Sequence, residues 1–510
     1  MEEIVVVFDF GSQTAQLIAR RIRELGVYCE IVRHDISKDE LLKLEPAAIV
    51  LSGSPFSVFD PGHPRMDRRI LDMGVPVLGI CYGMQLLAEI MGGTVEKGKE
   101  GEYGPARIEV ADPTGIFRDM PSSLNVWMSH GDHVTKIPEG FRTLAGTPAC
   151  PISTMGGGKI YGIQFHPEVV HTPKGSDIIG NFLFNVASCK GGWTMGRFVD
   201  ESVKKIKTLV GNHNVICGLS GGVDSSVTAA LINRAIGDRM KAIFVDNGLL
   251  RKGEVEEIRS MFTNDYPFNF RIVDAADLFL DELKGVVDPE TKRKIIGKTF
   301  IDVFYDAASD VRGAKFLAQG TLYPDIIESR SALGGPSSTI KSHHNVGGLP
   351  EDLNFELIEP LKELFKDEVR LLGKELGLPS KLLARQPFPG PGLAVRIIGE
   401  VTRDDLAILR GADLIVREEI ERYDENREIW QFFAVLLPVK SVGVMGDERT
   451  YANVVALRAV TSLDAMTADW ARIPYDVLGR ISSRIINEVK GVNRVVYDIS
   501  SKPPSTIEWE

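Results

Sequence analysis

The stretch VPVLGICYGMQLLAEI, residues 75–90, decides the fold class, because an apolar run of strand character passes through a tight turn into a helical pattern. The same order occurs near the N-terminus, where IVVVF at residues 4–8 precedes AQLIARRIREL, and again where NVICGLS precedes a helical pattern that starts at Ser225. Strands that alternate with helices predict a parallel sheet covered on both faces. We therefore expect an α/β protein.

Length and composition indicate a globular protein of several domains. The chain has 510 residues, which at roughly 150 residues per domain suggests about three domains. Hydrophobic residues make up 44% and charged residues 25%, which excludes a mostly disordered, collagen-like or disulfide-dense chain. With 59 Lys and Arg against 70 Asp and Glu, the net charge of −11 argues against binding of nucleic acid but permits small anions held by local cations.

The cysteines indicate a reducing compartment. Five cysteines are spread along the chain without a Cys-x-x-Cys pair, so neither a disulfide framework nor a structural zinc site is expected. A cytoplasmic protein fits this usage best. The N-terminus has no basic region before its apolar run, and no stretch of about 18 uncharged apolar residues occurs, so we expect no signal peptide and no membrane association.

Changes of pattern divide the chain into three predicted domains. Residues 1–190 combine strand–helix alternation with short strands after Gly101, such as ARIEV and KIYGIQF, which predicts a mixed sheet with added antiparallel strands. The glycine-rich segment CKGGWTMGRF separates them from residues 191–385, which have the pattern of a doubly wound parallel α/β domain. The Pro-Gly-rich segment QPFPGPGLAVR opens residues 386–510, which predict a smaller α+β domain.

A candidate nucleophile lies in the opening stretch. Cys81 stands at the centre of Gly-x-Cys-x-Gly between a strand and a helix, the context that a nucleophile elbow requires. At the N-terminus of a helix, the dipole would stabilise a thiolate. A buried cysteine between two turn glycines is the alternative interpretation of the pentapeptide alone.

A candidate base follows another strand. His166 and Glu168 come directly after KIYGIQF, and a histidine at a strand end can act as the base for a cysteine while a nearby carboxylate orients the imidazole. His-Pro-Glu alone is a weak signal, but together with the cysteine elbow it predicts a Cys-His-Glu catalytic triad.

These residues together resemble the class I glutamine amidotransferases, whose domain has a flavodoxin-like mixed sheet. The resemblance implies that Cys81 attacks the glutamine side-chain amide and that His166, steadied by Glu168, passes a proton to the leaving ammonia. Ser52-Gly53-Ser54-Pro55 is similar to the family's oxyanion loop, so the N–H groups of Gly53 and Tyr82 would be the donors. The positions that match the family's glutamine-binding residues are Gln85, Ser129, His130, Gly131 and Asp132. For His130, an ordinary surface histidine is the alternative.

A second constellation follows the strand NVICGL and opens a helix. Consecutive small residues there would expose backbone N–H groups to an anion. The spacing and lysine of a Walker A loop are absent. The segment instead resembles the PP-loop of ATP pyrophosphatases, which implies that it holds ATP and that its acid helps to bind Mg²⁺; a glycine turn with capping side chains is the alternative. The residues of this loop are Ser220, Gly221, Gly222, Val223, Asp224, Ser225 and Ser226.

Further candidates for the ATP site lie downstream. Val245 ends the next strand, at the edge where an open α/β sheet places its ligand. Lys341 lies in a Gly-, Ser- and Pro-rich region typical of a lid. Lys366 is positioned to reach phosphate and Asp367 to reach its metal ion, although a solvated helix face explains both equally well.

The C-terminal part resembles the glutamine-hydrolysing GMP synthases, through FPGPGLAVR at residues 388–396 and SKPPSTIEWE at residues 501–510. This family joins a glutaminase to a PP-loop domain. The resemblance implies that XMP, ATP, glutamine and water yield GMP, AMP, diphosphate and glutamate through an adenylyl-XMP intermediate, in guanine nucleotide biosynthesis. It also implies a homodimer formed through the C-terminal domain. The XMP-binding residues that it implies are Arg293, Pro389, Gly390, Pro391, Lys502, Thr506, Ile507 and Glu508.

Two other functions remain to be distinguished. PP-loops also serve NAD synthesis and tRNA thiolation, but the latter favours a basic surface or catalytic cysteines near the loop, and Cys217 inside a strand is typical of core packing. A nucleotide sensor without catalysis is the non-enzymatic alternative, against which the intact triad and loop argue.

Overall fold

The computed structural model describes residues 3–12, 14–330, 355–424, 428–445, 448–462 and 467–510. The chain divides into two compact units; the first contains the described residues up to Phe198 and also residues 327–330, and the main boundary falls between Phe198 and Val199. It lies inside a helix that runs over Met195–Val210. Over the described ranges, no helix is long and apolar enough to cross a membrane.

The first unit is built on a nine-stranded mixed sheet, as predicted. Its strands follow the order β2-β1-β3-β4-β9-β8-β7-β5-β6, parallel from β2 to β9 and antiparallel beyond. The strands are β1 (Ile4–Asp9), β2 (Tyr28–Arg33), β3 (Pro46–Leu51), β4 (Val77–Ile80), β5 (Thr94–Val110), β6 (Ser123–Lys136), β7 (Arg142–Gly146), β8 (Thr154–Gly157) and β9 (Ile160–Ile163). The helices are α1 (Thr14–Glu24), α2 (Lys38–Leu42), α3 (Tyr82–Ile90) and α4 (Gly175–Gly180), and α5 (Met195–Val210) contains the boundary.

The expectation of short strands is confirmed for β7, β8 and β9, which have 5, 4 and 4 residues, but it is wrong for β5 and β6. Short strands are predicted after Gly101, but β5 and β6 have 17 and 14 residues and pair as a long hairpin in which Glu102 faces His130. The segment KGKEGEYG in β5 is rich in glycine and charge, both of which are depleted from strands. Pairing with β6 resumes on the far side of an irregularity between Lys97 and Glu102, so the strand continues through a segment whose composition hides its length.

The second unit contains a five-stranded sheet that is parallel throughout and has the order β12-β11-β10-β13-β14. Because the chain moves outward on one side of β10 and then returns to the other, the strand order reverses at β10, which is where open α/β sheets bind ligands. The strands are β10 (Asn214–Leu219), β11 (Met240–Asp246), β12 (Phe270–Asp274), β13 (Ala314–Ala318) and β14 (Glu356–Ile358). The helices are α6 (Val223–Ile236), α7 (Glu254–Ser260), α8 (Ala276–Glu282), α9 (Pro289–Ser309), α10 (Tyr323–Arg330), α11 (Lys366–Glu375) and α12 (Ser380–Leu383).

The C-terminal part of this unit adds helices and a second, mostly antiparallel sheet. Strands β15 (Gln431–Met445) and β16 (Glu448–Thr461) form a hairpin; β17 (Asp469–Trp470) pairs antiparallel with β16, and β18 (Val492–Asp498) pairs parallel with it. Helices α13 (Arg403–Tyr423) and α14 (Tyr475–Glu488) complete this part. A single hydrophobic cluster runs from Ile216 to Val492 in sequence and includes Leu393 and Ala394. The two parts therefore share a core, and the division at residues 385 and 386 stays a prediction.

Candidate functional site

The turn between β4 and α3 holds Cys81 in a strained conformation. Its φ is 53° and its ψ is −107°, values that a non-glycine residue adopts rarely. No side chain fits at either flanking glycine. A Cβ on Gly79 would lie 2.6 Å from the backbone of Gly83, and a Cβ on Gly83 would lie 2.5 Å from the carbonyl oxygen of Leu51. The backbone N–H of Cys81 donates to the carbonyl of Ile163 over 2.7 Å, which ties the elbow to β9.

The predicted triad is assembled around this elbow. His166 Nδ1 lies 2.7 Å from Glu168 Oε1, and both side chains are buried. Burial disfavours the imidazolium form, but the negative charge of Glu168 and hydrogen bonding to Cys81 outweigh it and hold the pKa of His166 well above its usual value. Thr172 Oγ1 donates to the carbonyl of His166 over 2.6 Å and fixes the backbone there. A cysteine, a histidine and a carboxylate therefore meet in the arrangement that nucleophilic catalysis requires.

The candidate oxyanion donors lie beside the triad. A Cβ on Gly53 would be 3.4 Å from Cε1 of His166, so the backbone of Gly53 borders the imidazole. Tyr82 is the first residue of α3, and N–H groups of a first helical turn have no partner within the helix. Gly53 thus lies beside the imidazole of His166, and Tyr82 directly follows the nucleophile in the chain.

The side chain of Tyr82 is held by residues that sequence reasoning missed. Its hydroxyl donates to the carbonyl of Pro64 and lies 2.7 Å from His63 Nδ1, while Arg65 Nε donates to His63 Nε2 over 2.9 Å. The pKa of His63 is lowered by burial and by the charge of Arg65. No motif marks His63, because its role depends on a loop that folds back onto the elbow.

Hydrogen bonds connect the predicted glutamine-binding residues to one another and to the elbow. Gln85 and residues 129–132 together form what we call the glutamine-binding wall. Gln85 Nε2 donates to the carbonyl of Asp132 over 2.8 Å, and Ser57 Oγ donates to the Asp132 carboxylate. The carbonyl of Ser129 accepts from the Cys81 thiol at 3.7 Å. Gln164 was missed, although it lies two residues before His166: it is fully buried and its Nε2 donates to the Cys81 sulfur over 3.7 Å.

His130 is not a surface histidine. It is buried, Nδ1 lies 3.1 Å from the carbonyl oxygen of Asp132, and Nε2 lies 3.2 Å from Glu102 Oε2. Burial lowers its pKa in spite of the neighbouring Glu102. Gly131 follows it in β6, where an added Cβ would approach the Tyr103 hydroxyl at 3.6 Å.

The PP-loop lies between β10 and α6, at the reversal of strand order. Gly221 has a φ of 77°, and a Cβ there would lie 2.6 Å from Ile258 Cδ1. Ser225 Oγ accepts from the N–H of Ser220 over 3.2 Å, and Ser226 Oγ donates to the carbonyl of Gly222 over 2.7 Å. Val223 is the first residue of α6, so the helix begins inside the loop. The loop is therefore closed by its own serines and presents the N-terminal end of a helix.

Two predicted ATP-site residues meet at this loop. Lys366 Nζ pairs with Asp224 Oδ2 across 142 residues of sequence. The other carboxylate oxygen, Asp224 Oδ1, is buried and has no hydrogen-bond partner among the described residues. An orphaned buried carboxylate oxygen suits a hard cation such as Mg²⁺. Asp367 follows Lys366 in the first turn of α11, whereas Lys341 lies outside the described residues.

The remaining candidates of the second unit surround its C-terminus. Val245 is buried near the end of β11. Next to that strand, the turn Pro389-Gly390-Pro391 leads into a short 3₁₀ helix, Gly392–Arg396, in which the N–H of Leu393 donates to the carbonyl of Leu249 over 2.8 Å. Arg293 reaches the C-terminus, where its Nη2 donates to the carbonyl oxygen of Glu510 over 2.5 Å.

Buried cations that sequence reasoning missed hold the C-terminal tail. Arg396 forms a two-point pair with Glu508 at 2.8 and 3.0 Å, and Arg458 donates to the carbonyls of Thr506 and Ile507. Lys292, which is fully buried, lies 2.7 Å from Glu510 Oε2. The N–H of Lys502 donates to the carbonyl of Ala468 over 2.7 Å. The predicted residues Arg293, Lys502, Thr506, Ile507 and Glu508 all lie in or against this tail.

Comparison with known families assigns most of the chain. Residues 6–186 match the family described as class I glutamine amidotransferase. Residues 194–284, which include the PP-loop, match the family described as NAD synthase. Residues 418–509 match the family described as GMP synthase C terminal domain.

Curated bacterial proteins are similar over the whole length. The chain is 57% identical over 511 residues to the glutamine-hydrolyzing GMP synthase of Geobacillus kaustophilus, with 100% of both chains covered. It is 56% identical over 512 residues to the glutamine-hydrolyzing GMP synthase of Bacillus licheniformis, covering 100% of this chain and 99% of that one.

Proposed function

The chain belongs to the family of glutamine-hydrolysing GMP synthases, and from that premise we propose how its two sites divide one reaction. The first site releases ammonia from glutamine. The second uses ATP to adenylylate XMP, and ammonia then displaces AMP to give GMP. The observation that carries this assignment is the pairing of a complete Cys-His-Glu triad with a PP-loop on the same chain.

At the first site, the sulfur of Cys81 attacks the amide carbon of glutamine as a thiolate, with its proton already held by His166, whose pKa is raised by Glu168 and Cys81. The resulting oxyanion accepts hydrogen bonds from the N–H groups of Gly53 and Tyr82. Collapse of this intermediate breaks the C–N bond, His166 returns the proton to the leaving ammonia, and water then hydrolyses the thioester to glutamate. Glu168 supports the imidazolium through the 2.7 Å contact at Nδ1. Gln85 and the segment from Ser129 to Asp132 bind the substrate.

At the second site, an oxygen of the XMP ring attacks the α-phosphorus of ATP and diphosphate leaves. The N–H groups of residues 220–226 bind the phosphates. The ammonium group of Lys366 contacts a phosphate after its ion pair with Asp224 breaks. Asp224 would hold Mg²⁺ through its unpartnered oxygen, with Asp367 as a second candidate ligand, and the ion would neutralise phosphate charge. Val245 and Lys341 complete the proposed ATP contacts.

XMP is bound in this proposal by the C-terminal tail and its surroundings. Arg293 and Lys502 supply positive charge for its phosphate, and Glu508 approaches the purine. Support comes from the packing of the tail, which Lys292 and Arg396 hold in place through buried ion pairs. Pro389, Gly390 and Pro391 form the turn beside it.

The C-terminal sheet is proposed as a homodimer interface. The strands β15 and β16 expose Val439, Val442, Val444 and Tyr451, of which Val444 is 73% and Tyr451 68% accessible. Apolar side chains grouped on one hairpin favour contact with a second copy. None of the five cysteines forms a disulfide, which agrees with a cytoplasmic location.

The function is tested by XMP turnover with either glutamine or ammonium as nitrogen source, with GMP and AMP quantified. Cys81→Ala should lose glutamine-dependent synthesis by about four orders of magnitude and retain ammonium-dependent synthesis, because only the nucleophile is removed. Cys189→Ala, a change at another buried cysteine, should retain both. Equal loss of both activities in Cys81→Ala, or the absence of XMP-dependent AMP release in the wild type, would refute the assignment.

A further inference from the structure

Three potential metal ligands that take no part in the triad converge in the first unit. One carboxylate oxygen of Glu102, one ring nitrogen of His130 and the sulfur of Cys150 all lie within 4.8 Å of one another. Glu102 belongs to β5 and His130 to β6, where they are cross-strand partners, and Cys150 lies in the connection between β7 and β8. His130 and Cys150 are buried, and the side chain of Glu102 is 22% exposed.

The hydrogen bonds of His130 leave one contact unexplained. Nδ1 lies 3.1 Å from the carbonyl oxygen of Asp132, and a carbonyl can only accept, so Nδ1 carries the proton of a neutral ring. Nε2 then directs a lone pair at Glu102 Oε2, 3.2 Å away, although a carboxylate is also an acceptor. Either a second proton or a metal ion must lie between these atoms.

The position of Cys150 favours the metal ion. The Cys150 thiol donates to the carbonyl of Ile152 over 3.6 Å, and on losing its proton it would offer a thiolate sulfur, a third ligand of the kind that Zn²⁺ prefers. For bonds of about 2.0 Å, adjacent nitrogen and oxygen ligands of tetrahedral zinc lie about 3.3 Å apart. The observed separation of Nε2 and Oε2 is 3.2 Å.

The surroundings of the three ligands are also those of a metal site. Ligating histidines commonly donate their other N–H to a backbone carbonyl, as His130 does to Asp132. Thr147 Oγ1 donates to Glu102 Oε1 over 3.2 Å and accepts from the N–H of Cys150 over 2.8 Å. One threonine hydroxyl therefore orients two of the three ligands.

We propose that Glu102, His130 and Cys150 bind Zn²⁺ as three protein ligands, with a fourth position open to water. On binding, the thiol of Cys150 releases its proton to solvent and the sulfur coordinates as thiolate. The expectation of no zinc site rested on the lack of a Cys-x-x-Cys pair, and it misses this cluster because the ligands come from three separate segments.

The site stands independently of the proposed function, but it borders the glutamine-binding wall. His130 follows Ser129, whose carbonyl contacts the Cys81 thiol, and it precedes Asp132 by two residues. A bound ion would join β5, β6 and the β7–β8 connection directly behind that wall.

The test uses the full-length chain without an affinity tag, in buffer free of ATP and Mg²⁺. After equilibration with Zn²⁺ and removal of excess metal, elemental analysis should find one zinc per chain in the wild type. Co²⁺ in place of Zn²⁺ should give a thiolate-to-cobalt charge-transfer band. Cys150→Ser should abolish this band and weaken zinc binding by at least about tenfold, while Cys189→Ser should retain both.

The proposal would be overturned by a wild type without bound zinc, or by a cobalt band that persists in Cys150→Ser. X-ray absorption of the zinc-loaded wild type needs no variant and therefore covers the case in which Cys150→Ser fails to fold. It should detect one sulfur among the ligands, and a shell of only nitrogen and oxygen would contradict the assignment to Cys150.

Discussion

At the residue scale, the protein concentrates strain and unpaired polar groups at its two sites. Cys81 has a positive φ, and Asp224 keeps one buried oxygen without a partner among the described residues. Both features cost stability in the absence of substrate. Each feature becomes useful when a ligand arrives, since the strained turn aims the buried sulfur at the substrate and the unpartnered carboxylate oxygen can bind a cation.

Lys366 is expected to matter only for the ATP half-reaction. Lys366→Ala removes the partner of Asp224 and the proposed phosphate contact, so GMP synthesis should fall by about 10² with either nitrogen source. The matched control is Lys362→Ala, a change at an exposed lysine just before α11, which should stay close to wild type. XMP-dependent AMP release measures both variants, and an unimpaired Lys366→Ala would remove this residue from the site.

His63 should make the elbow sensitive to acid. Its pKa is lowered by burial and by Arg65, so its contribution to stability is complete above the ordinary histidine pKa of about 6.5 and is lost as the pH falls through the folded value. The reason is that a second ring proton would displace the bond that Arg65 donates to Nε2. His63→Asn should therefore lower the thermal unfolding midpoint more at pH 7.5 than at pH 5.5. If the difference in unfolding midpoint between wild type and His63→Asn grew towards low pH, a neutral His63 in the folded protein would be contradicted.

At the scale of elements, the active elbow depends on how closely α3 approaches the sheet. Gly79 and Gly83 leave room for no side chain, because the backbone of the elbow and of β3 occupies the space. The approach brings the first turn of α3, with the N–H of Tyr82, next to Cys81. The same close contact thus serves both packing and the oxyanion site.

Gly83→Ala should therefore impair both stability and glutaminase activity. Its Cβ would lie 2.5 Å from the Leu51 carbonyl oxygen and 2.7 Å from Leu51 Cβ, which forces α3 away from β3 at a cost of about 1–3 kcal/mol. In Gly297→Ala, nothing lies within 4 Å of the new Cβ and the helix interior favours alanine, so stability should be unchanged or higher. Unfolding midpoints and glutamate release measure the two effects. Wild-type behaviour of Gly83→Ala would show that the elbow can relax.

At the scale of the molecule, the C-terminus is part of the core of the second unit. Lys292 is fully buried, donates to the carbonyls of Ala394 and Ile397, and pairs with Glu510. One side chain thus joins α9, the 3₁₀ helix and the last residue of the chain. The proposed XMP site is assembled from segments more than 200 residues apart.

Lys292→Met should lower the free energy of unfolding of the second unit by about 3 kcal/mol or more, because it leaves the Glu510 carboxylate buried without its cation. KM for XMP should rise at the same time, because the tail would lose its anchor. Lys294→Met changes an exposed lysine on the same helix and should have little effect on either quantity. Urea denaturation and XMP saturation curves are the measurements, and equal behaviour of the two variants would argue against the anchoring role.

Candidate site residues could be predicted from the sequence where the chemistry is local, and their roles stay proposals. Cys81 with its glycines, His166 with Glu168, and residues 220–226 each occupy a few consecutive positions at a strand end, where short-range geometry suffices to recognise them. His63, Gln164, Lys292 and Arg458 escaped because nothing near them in sequence indicates what they contact. The length of β5 could not be predicted for the same reason, since it depends on pairing with β6, which follows a connection of several residues.

The sequence by itself determined the fold class, the alternation of strands and helices, and the short motifs at the carboxyl ends of strands, because periodicity and turn chemistry are properties of neighbouring residues. Only the tertiary structure decided the pairing of Lys366 with Asp224, the burial of His130 between Glu102 and Asp132, and the anchoring of the tail by Lys292. These contacts depend on which distant segments meet. Burying a polar or charged side chain is unfavourable unless it is paired, so each of these groups needs a proton, an ion or a hydrogen-bond partner.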